Sequence, residues 1–437
     1  MKENVPFSPS RTPFFYGWIV LGIGSMGMLM SIPGQTVGVS VFTDHLIDAL
    51  SLSRNTISIA YLVGTVGSAL FLSSAGRGYD TYGARILGVI VTFLLGCTLL
   101  YLSAADHIVA AGVSLFGLKS PFLITGIAFS AISIGFFALR FLGQGTLTMV
   151  SRNMVMKWFE RKRGLVNAVL GITISLGFSI APRILDALIQ HSGWRGAWRT
   201  LAGLLFFFSL AVYLFYRDNP QASGLVPDGK IYTEENQRLH IEAIPGRDFS
   251  LEETRRTFSF WFFNLTLALS GLIITAFTFH VISIFAEAGL NRSAAVNIFL
   301  PASLIAVSTQ VAGSWSSDYI KLKYIAIAQL IGILLLSTGL FTLASKTGYF
   351  LLIAGMGISQ GMMGITSTIT WPRFYGLKHL GTISGYSMAW TVAGSAVGPY
   401  LFSLSLDLTG SYSTGAIACF VISLCGTCAA FFVKKPV

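Results

Sequence analysis

Arg140 stands inside an apolar run that extends from about 122 to 151 and contains no acid. A guanidinium is always charged and carries five N–H donors in a planar fork. Its natural chemistry is therefore recognition of an anion. The alternative is a structural arginine bonded to helix carbonyls or to an acid such as Asp44 or Glu287. His280 is the one histidine inside an apolar run. Its titration range suits proton transfer, so three readings fit: a ligand contact, a proton carrier, or a hydrogen-bonded packing residue. Ser31-Ile32-Pro33-Gly34-Gln35-Thr36 interrupts a further run. Backbone groups freed by such a break must be satisfied by protein or by a wet cavity, which makes Gln35 and Thr36 candidate ligand contacts. A plain packing kink is the other reading. Arg183 and Asp186 are three residues apart on one helical face, and a local ion pair is expected between them.

The rest of the charge inventory narrows the chemistry. All 18 acids fall in loops or at the ends of apolar runs, so the sequence offers no carboxylate for proton coupling at membrane depth. Cys97, Cys419, Cys425 and Cys428 all lie in apolar runs, which argues against a disulfide framework and against a zinc site. No P-loop, G-x-S-x-G or H-E-x-x-H is present. ATP-driven transport by this chain alone and an enzymatic role are therefore not expected, and no cofactor is implied.

These residues must be positioned by membrane helices. Of 437 residues, 53% are hydrophobic, 11% are charged and 46 are glycine. A soluble domain carries about 25% charged residues, and glycine is enriched in membrane helices. At about 20 residues per span, the length accommodates twelve spans with short loops. They are read at 14–42, 54–75, 85–104, 122–151, 163–187, 196–216, 257–286, 293–317, 323–345, 348–371, 381–406 and 412–433. The first run is too long for a signal peptide and is expected to stay as span one. A polar stretch at 217–256 holds Asp218-Asn219-Pro220, Asp228-Gly229-Lys230 and Glu234-Glu235-Asn236. It reads as a linker with a short surface helix near 250–257. It divides the chain into a six-helix bundle at 1–216 and another at 257–437.

The net charge of +11 does not point to nucleic acid, because the basic residues form short clusters between apolar runs instead of one basic face. They set topology. With twelve spans, 21 of the 29 lysines and arginines fall on the side of the termini and the linker, and 6 on the other. Both termini are expected in the cytoplasm, with the chain in the plasma (inner) membrane.

Two stretches echo one another. Gly143-Gln144-Gly145 in span four matches Ser359-Gln360-Gly361 in span ten, and each is followed by a tryptophan, a basic loop and a glycine. Such an echo suits a transporter built from repeats. Between spans two and three, Gly76-Arg77-Gly78-Tyr79-Asp80-Thr81-Tyr82-Gly83-Ala84-Arg85 resembles the G-x-x-x-D-x-x-G-x-R loop of the major facilitator superfamily. The resemblance implies an all-α twelve-helix fold in two halves and transport by alternating access, with Asp80 and Arg85 as gating residues. Gly313-Ser314-Trp315-Ser316-Ser317-Asp318 resembles a degenerate second copy, which makes Asp318 a further gating candidate. Arg140-Phe141-Leu142-Gly143-Gln144-Gly145 is similar to the superfamily's span-four arginine motif. In that family spans one, four, seven and ten line the path, which implicates Gln144, Asn264, Gln360 and Thr366.

Phe15-Tyr16-Gly17-Trp18, together with the stretch from Arg152 to Gly164, is similar to the monocarboxylate and oxalate/formate branch. That branch commonly holds its substrate with a cation in span eight or eleven. Neither span has a lysine or arginine here. The expectation is thus a monomeric secondary transporter of a small organic solute, inclined to an anion by Arg140, with a proton or counter-substrate as coupling partner. The alternatives are an exporter of amphipathic compounds, suggested by 13% aromatic residues, and a non-transporting receptor on the same fold.

Overall fold

The computed structural model describes residues 5–117, 119–229 and 247–436. No strand occurs among the described residues, which are helical nearly throughout. A helix satisfies its own backbone groups, and lipid supplies no other partner for them. Nine helices among the described residues are long and apolar enough to cross a membrane. Asn55–Ser103 has 49 residues and Arg163–Phe215 has 53. At the α-helical rise each would exceed about 70 Å, against a hydrocarbon core of about 30 Å. Each is interrupted at a glycine in the left-handed region, Gly83 at φ 81° and Gly193 at φ 70°, where a β-carbon would be strained. Each therefore supplies two spans: two and three, then five and six. Leu380–Thr409, a 30-residue helix, is span eleven and completes the twelve.

The remaining spans are Gly17–Leu50 (one), Pro121–Trp158 (four), Phe258–Glu287 (seven), Ser293–Ser316 (eight), Leu322–Phe341 (nine), Lys346–Tyr375 (ten) and Ser413–Phe432 (twelve). Several boundaries differ from expectation; span two, expected to end at 75, stays helical to the break at Gly83. Span one continues to Leu50, and span four continues to Trp158. The helix end carries Lys157 in its last turn, where a cation complements the terminal carbonyls.

By their contacts the residues form two compact units, Met1–Trp158 with Thr173–Gly229, and Phe159–Ile172 with Lys230–Val437. The first turns of the span-five helix thus belong with the second unit. The middle of the expected linker, 230–246, lies outside the described residues, and Lys230, Glu234 and Glu235 with it. Before span seven, a helix at Leu251–Arg255 stands where a surface helix is expected. Its start is a capping box: the Ser250 hydroxyl accepts from the Glu253 amide at 3.2 Å, and the Glu253 carboxylate accepts from the Ser250 amide at 2.7 Å.

The sequence echo has a packing counterpart inside each unit. A β-carbon on Gly145 would lie 2.3 Å from Leu72 of span two, and one on Gly361 would lie 2.2 Å from Thr309 of span eight. Both glycines let span four or ten pack tightly against the helix before last. The tryptophans match as well. Trp158 packs on Tyr16 at 5.4 Å, at the start of span one. Trp371 packs on Phe260 at 5.5 Å, at the start of span seven.

Candidate functional site

In the first unit, two broken helices meet. Span one leaves α-helical geometry at Ile32–Gly34 and has extended backbone at Gln35, with φ −82° and ψ 156°. Span four widens into a π-helical stretch at Arg140–Leu147, a form that recurs at functional sites. The Thr146 hydroxyl donates to the carbonyl of Phe141 at 2.8 Å, five residues back. The two breaks touch: a β-carbon on Gly34 would lie 2.4 Å from the Leu139 carbonyl and 2.8 Å from Gly143 Cα.

Arg140, Gln35 and Thr36 come together at this junction. Arg140 is 5% exposed. Its Nη1 donates to the Gly34 carbonyl at 3.2 Å and to the Thr36 hydroxyl at 3.3 Å. The guanidinium lies over the Tyr61 ring, 5.2 Å from its centre, and the Tyr61 hydroxyl is 2.9 Å from that of Thr36. Arg140 Nε is buried and has no partner, and no carboxylate pairs with the guanidinium among the described residues. Glu287, one of the acids that could have paired with it, instead accepts from the Ser411 hydroxyl at 2.5 Å and the Tyr412 amide at 3.2 Å. Gln35 Nε2 donates to Ser31 Oγ at 3.0 Å and to Thr148 Oγ1 at 3.3 Å. Gln144 is half-buried on the same stretch of span four and makes no side-chain hydrogen bond with the described residues. The sequence alone did not single out Tyr61, Ser31 and Thr148. The hydroxyls of Ser31 and Thr148 look like ordinary helix residues until span one is laid on span four.

The candidates in the second unit stand in other settings. Asn264 is fully buried, and neither amide atom has a partner among the described residues. Thr366 is 1% exposed and donates back to Met362 of its own helix at 3.1 Å. Gln360 is half-buried without a hydrogen bond to the described residues. His280 Nε2 lies 2.9 Å from the Pro399 carbonyl, and Nδ1 lies 3.4 Å from the Tyr412 hydroxyl. A carbonyl only accepts, so Nε2 carries the hydrogen and the ring bridges spans seven, eleven and twelve. A depression of about 190 Å³ borders Tyr412 and Glu287.

Gating candidates occupy the helix ends. Arg85 is 2% exposed and donates from Nε to the Tyr216 carbonyl at 3.1 Å. The amides of Ala84 and Arg85, just after Gly83, donate to the Asp218 carboxylate. Asp80 is half-buried beside Tyr79, over whose ring Lys157 Nζ sits at 4.6 Å. Asp318 is 7% exposed and forms an ion pair with Arg373, which is 1% exposed. Asp318 also accepts from the Gly164 amide at 2.9 Å, within the second unit. Burial holds this carboxyl above its ordinary value against the pull of Arg373 and of the Gly164 amide. A β-carbon on Gly164 would lie 1.9 Å from the Ser314 carbonyl, so the close approach needs glycine. Arg373 and Asp218 read as a topology charge and a linker acid in the sequence, and the fold turns both into partners of the gate loops. The expected Arg183–Asp186 pair is not formed. Asp186 accepts instead from Gln190 one turn on, at 2.7 Å, and both charged residues are exposed.

A polytopic all-α bundle with twelve spans, a buried cation at two helix breaks and charged loops at helix ends defines a membrane transporter class. The chain matches the Major Facilitator Superfamily over residues 25–399, and it belongs to that family. It is 21% identical over 394 residues to a hexuronate transporter of Bacillus subtilis (strain 168), covering 86% of this chain and 84% of that one. It is 26% identical over 213 residues to MFS-type transporter 1 of Ophiocordyceps sp. (strain BCC 1869), which covers 48% of this chain but only 42% of the relative's length. Its fold matches a bacterial homologue of the iron transporter ferroportin in an outward-facing state, with TM-score 0.70, 16% identity, and coverage of 94% of this chain and 98% of that one.

Proposed function

We propose that the chain is a secondary transporter that moves a small organic anion, a carboxylate in the simplest case, by alternating access. The observation that carries this reading is Arg140. A charge at bilayer depth costs about 2.5–3.5 kcal/mol on the lenient insertion scale. Here it is buried with a partnerless Nε and no carboxylate among the described residues to neutralise it. A substrate anion would supply the missing charge, and it would do so only while bound. The hexuronate named for the Bacillus subtilis relative is an acidic sugar, which agrees with an anionic cargo. The likeness of Phe15-Tyr16-Gly17-Trp18 to the monocarboxylate and oxalate/formate branch points the same way.

In this reading the bundles at 1–216 and 257–437 are the moving halves, joined by 217–256. The termini lie in the cytoplasm and the unit of function is the monomer. Asp318 with Arg373, and Asp80 and Arg85 in the first loop, hold helix ends in one state and release them in the other. Asn264, Gln144 and Gln360 are further cavity residues, and the coupling partner is a proton or a counter-substrate. Purified protein in proteoliposomes tests the reading through uptake of labelled carboxylates. Uptake should fall at least tenfold in Arg140→Gln and partly recover in Arg140→Lys. Undiminished uptake by both variants would sink it.

A further inference from the structure

Resting on the anion reading above, we infer that the substrate is a hydroxy acid, with its carboxylate on Arg140 and a hydroxyl donated to the Gln35 carbonyl oxygen. The inference comes from counting hydrogens. The Ser31 hydroxyl has one hydrogen, and it goes to the Met28 carbonyl at 2.6 Å. Ser31 Oγ can then only accept from Gln35. Thr148 likewise has one hydrogen, directed to Ser31 Oγ at 3.2 Å or to the Gly143 carbonyl at 3.3 Å. Thr148 Oγ1 can also accept from Gln35, at 3.3 Å. The NH2 group of Gln35 makes both contacts, at 3.0 and 3.3 Å. The alternative flip would set the amide oxygen 3.0 Å from Ser31 Oγ, whose one hydrogen is already given to Met28.

This orientation leaves the Gln35 carbonyl oxygen as the amide's free edge, and it accepts no hydrogen bond from the described residues. The residues on either side, Gly34 and Thr36, are the two that hold Arg140 Nη1. The junction of spans one and four thus holds an unfilled cationic donor at Arg140 Nε and an unfilled neutral acceptor at Gln35. A simple fatty acid fills the first and leaves the second bare. A polyol fills the second and leaves the charge unmatched. A carboxylate that also carries a hydroxyl satisfies both.

The test uses the full chain, purified and titrated calorimetrically with matched pairs: lactate against propionate, gluconate against hexanoate, and glycerol as the uncharged control. One hydrogen bond lost in a buried site corresponds to about a tenfold weaker affinity. Each hydroxy acid should therefore bind about tenfold tighter than its deoxy partner. Gln35→Leu should bring that ratio to about one. Ser31→Ala, a milder change that unpins the amide, should lower it. Equal binding of both members of each pair, with loss of both in Arg140→Gln, overturns the hydroxyl contact and leaves the anion reading standing. A hydroxy-acid preference that persists unchanged in Gln35→Leu also overturns it. Failure of every acid to bind, or binding indifferent to Arg140→Gln, overturns both readings together.

Discussion

The two buried polar groups that matter most differ in how they are satisfied. Arg140 keeps two hydrogen bonds and an aromatic face, enough to hold it in one geometry but not enough to cancel its charge. Asn264 has nothing among the described residues, since both amide atoms are buried without a partner there. Burying a polar group unpaired costs about 1–3 kcal/mol. Asn264→Leu is therefore expected to raise the unfolding temperature of the purified protein. A fall in the melting temperature would overturn this. Arg373 makes the opposite case. It is buried against Asp318 and the Ser317 carbonyl. Arg373→Ala strands a buried carboxylate, with an expected cost of about 3–5 kcal/mol. The double change Arg373→Leu with Asp318→Leu should cost less than the single one, because it removes both charges. Thermal unfolding of the three variants decides this.

At the scale of elements, breaks and caps organise function more than helix propensity does. Span one ends its first helix where Pro33 and Gly34 interrupt it, and span four widens opposite, so two irregular backbones meet at Arg140. The helix Leu251–Arg255 before span seven shows the same dependence on its ends. Arg247, 2.7 Å from the Glu253 carboxylate, together with the capping bonds to Ser250, pushes that carboxyl down to about 2. A carboxyl lowered in the folded state lends stability above its ordinary range and loses it as pH falls toward the folded value. Amide exchange over 251–255, corrected for intrinsic rates, should accelerate as pH drops from about 4.5 toward 2. Exchange in Glu253→Gln should show much less of that pH dependence. A helix equally protected at both extremes would show that the cap contributes nothing. Close helix contact is the other element-scale device. Gly164→Ala would place its β-carbon 1.9 Å from the Ser314 carbonyl, so this change should separate the start of span five from span eight. The loss should register as lower uptake and lower thermal stability together.

Across the whole molecule, the distribution of cations makes a topological claim. Most lysines and arginines fall on the side of the termini and the linker. A cysteine placed at Gln221, after span six, in a background lacking the four native cysteines, should react with a membrane-impermeant maleimide only in inside-out vesicles. Labelling from the outer face of intact cells would reverse the orientation. The repeat gives a second claim at this scale. Gly145 and Gly361 pack on spans two and eight, and Trp158 and Trp371 clamp the starts of spans one and seven. The two units solve the same packing problem with matched residues.

Much of this was legible in the chain. Lipid forces every long apolar run to be helical, so twelve spans follow from run length and charge placement alone. The break at Pro33-Gly34 and the lone cation at Arg140 are local facts of residue type. The short helix near 250–257 and the paired echo around Gln144 and Gln360 also needed no tertiary information. What sequence could not supply is helix rotation. An apolar run reads much the same whichever face it turns inward, so Arg140 could equally have met an acid. Only packing set it on Gly34 and Thr36, more than a hundred residues back in the chain. Only packing gave Asp318 its partner Arg373 and gave the Gly83 turn its partner Asp218. The orientation of the Gln35 amide was decided last of all, by the Ser31 hydroxyl, whose hydrogen is already given to the Met28 carbonyl.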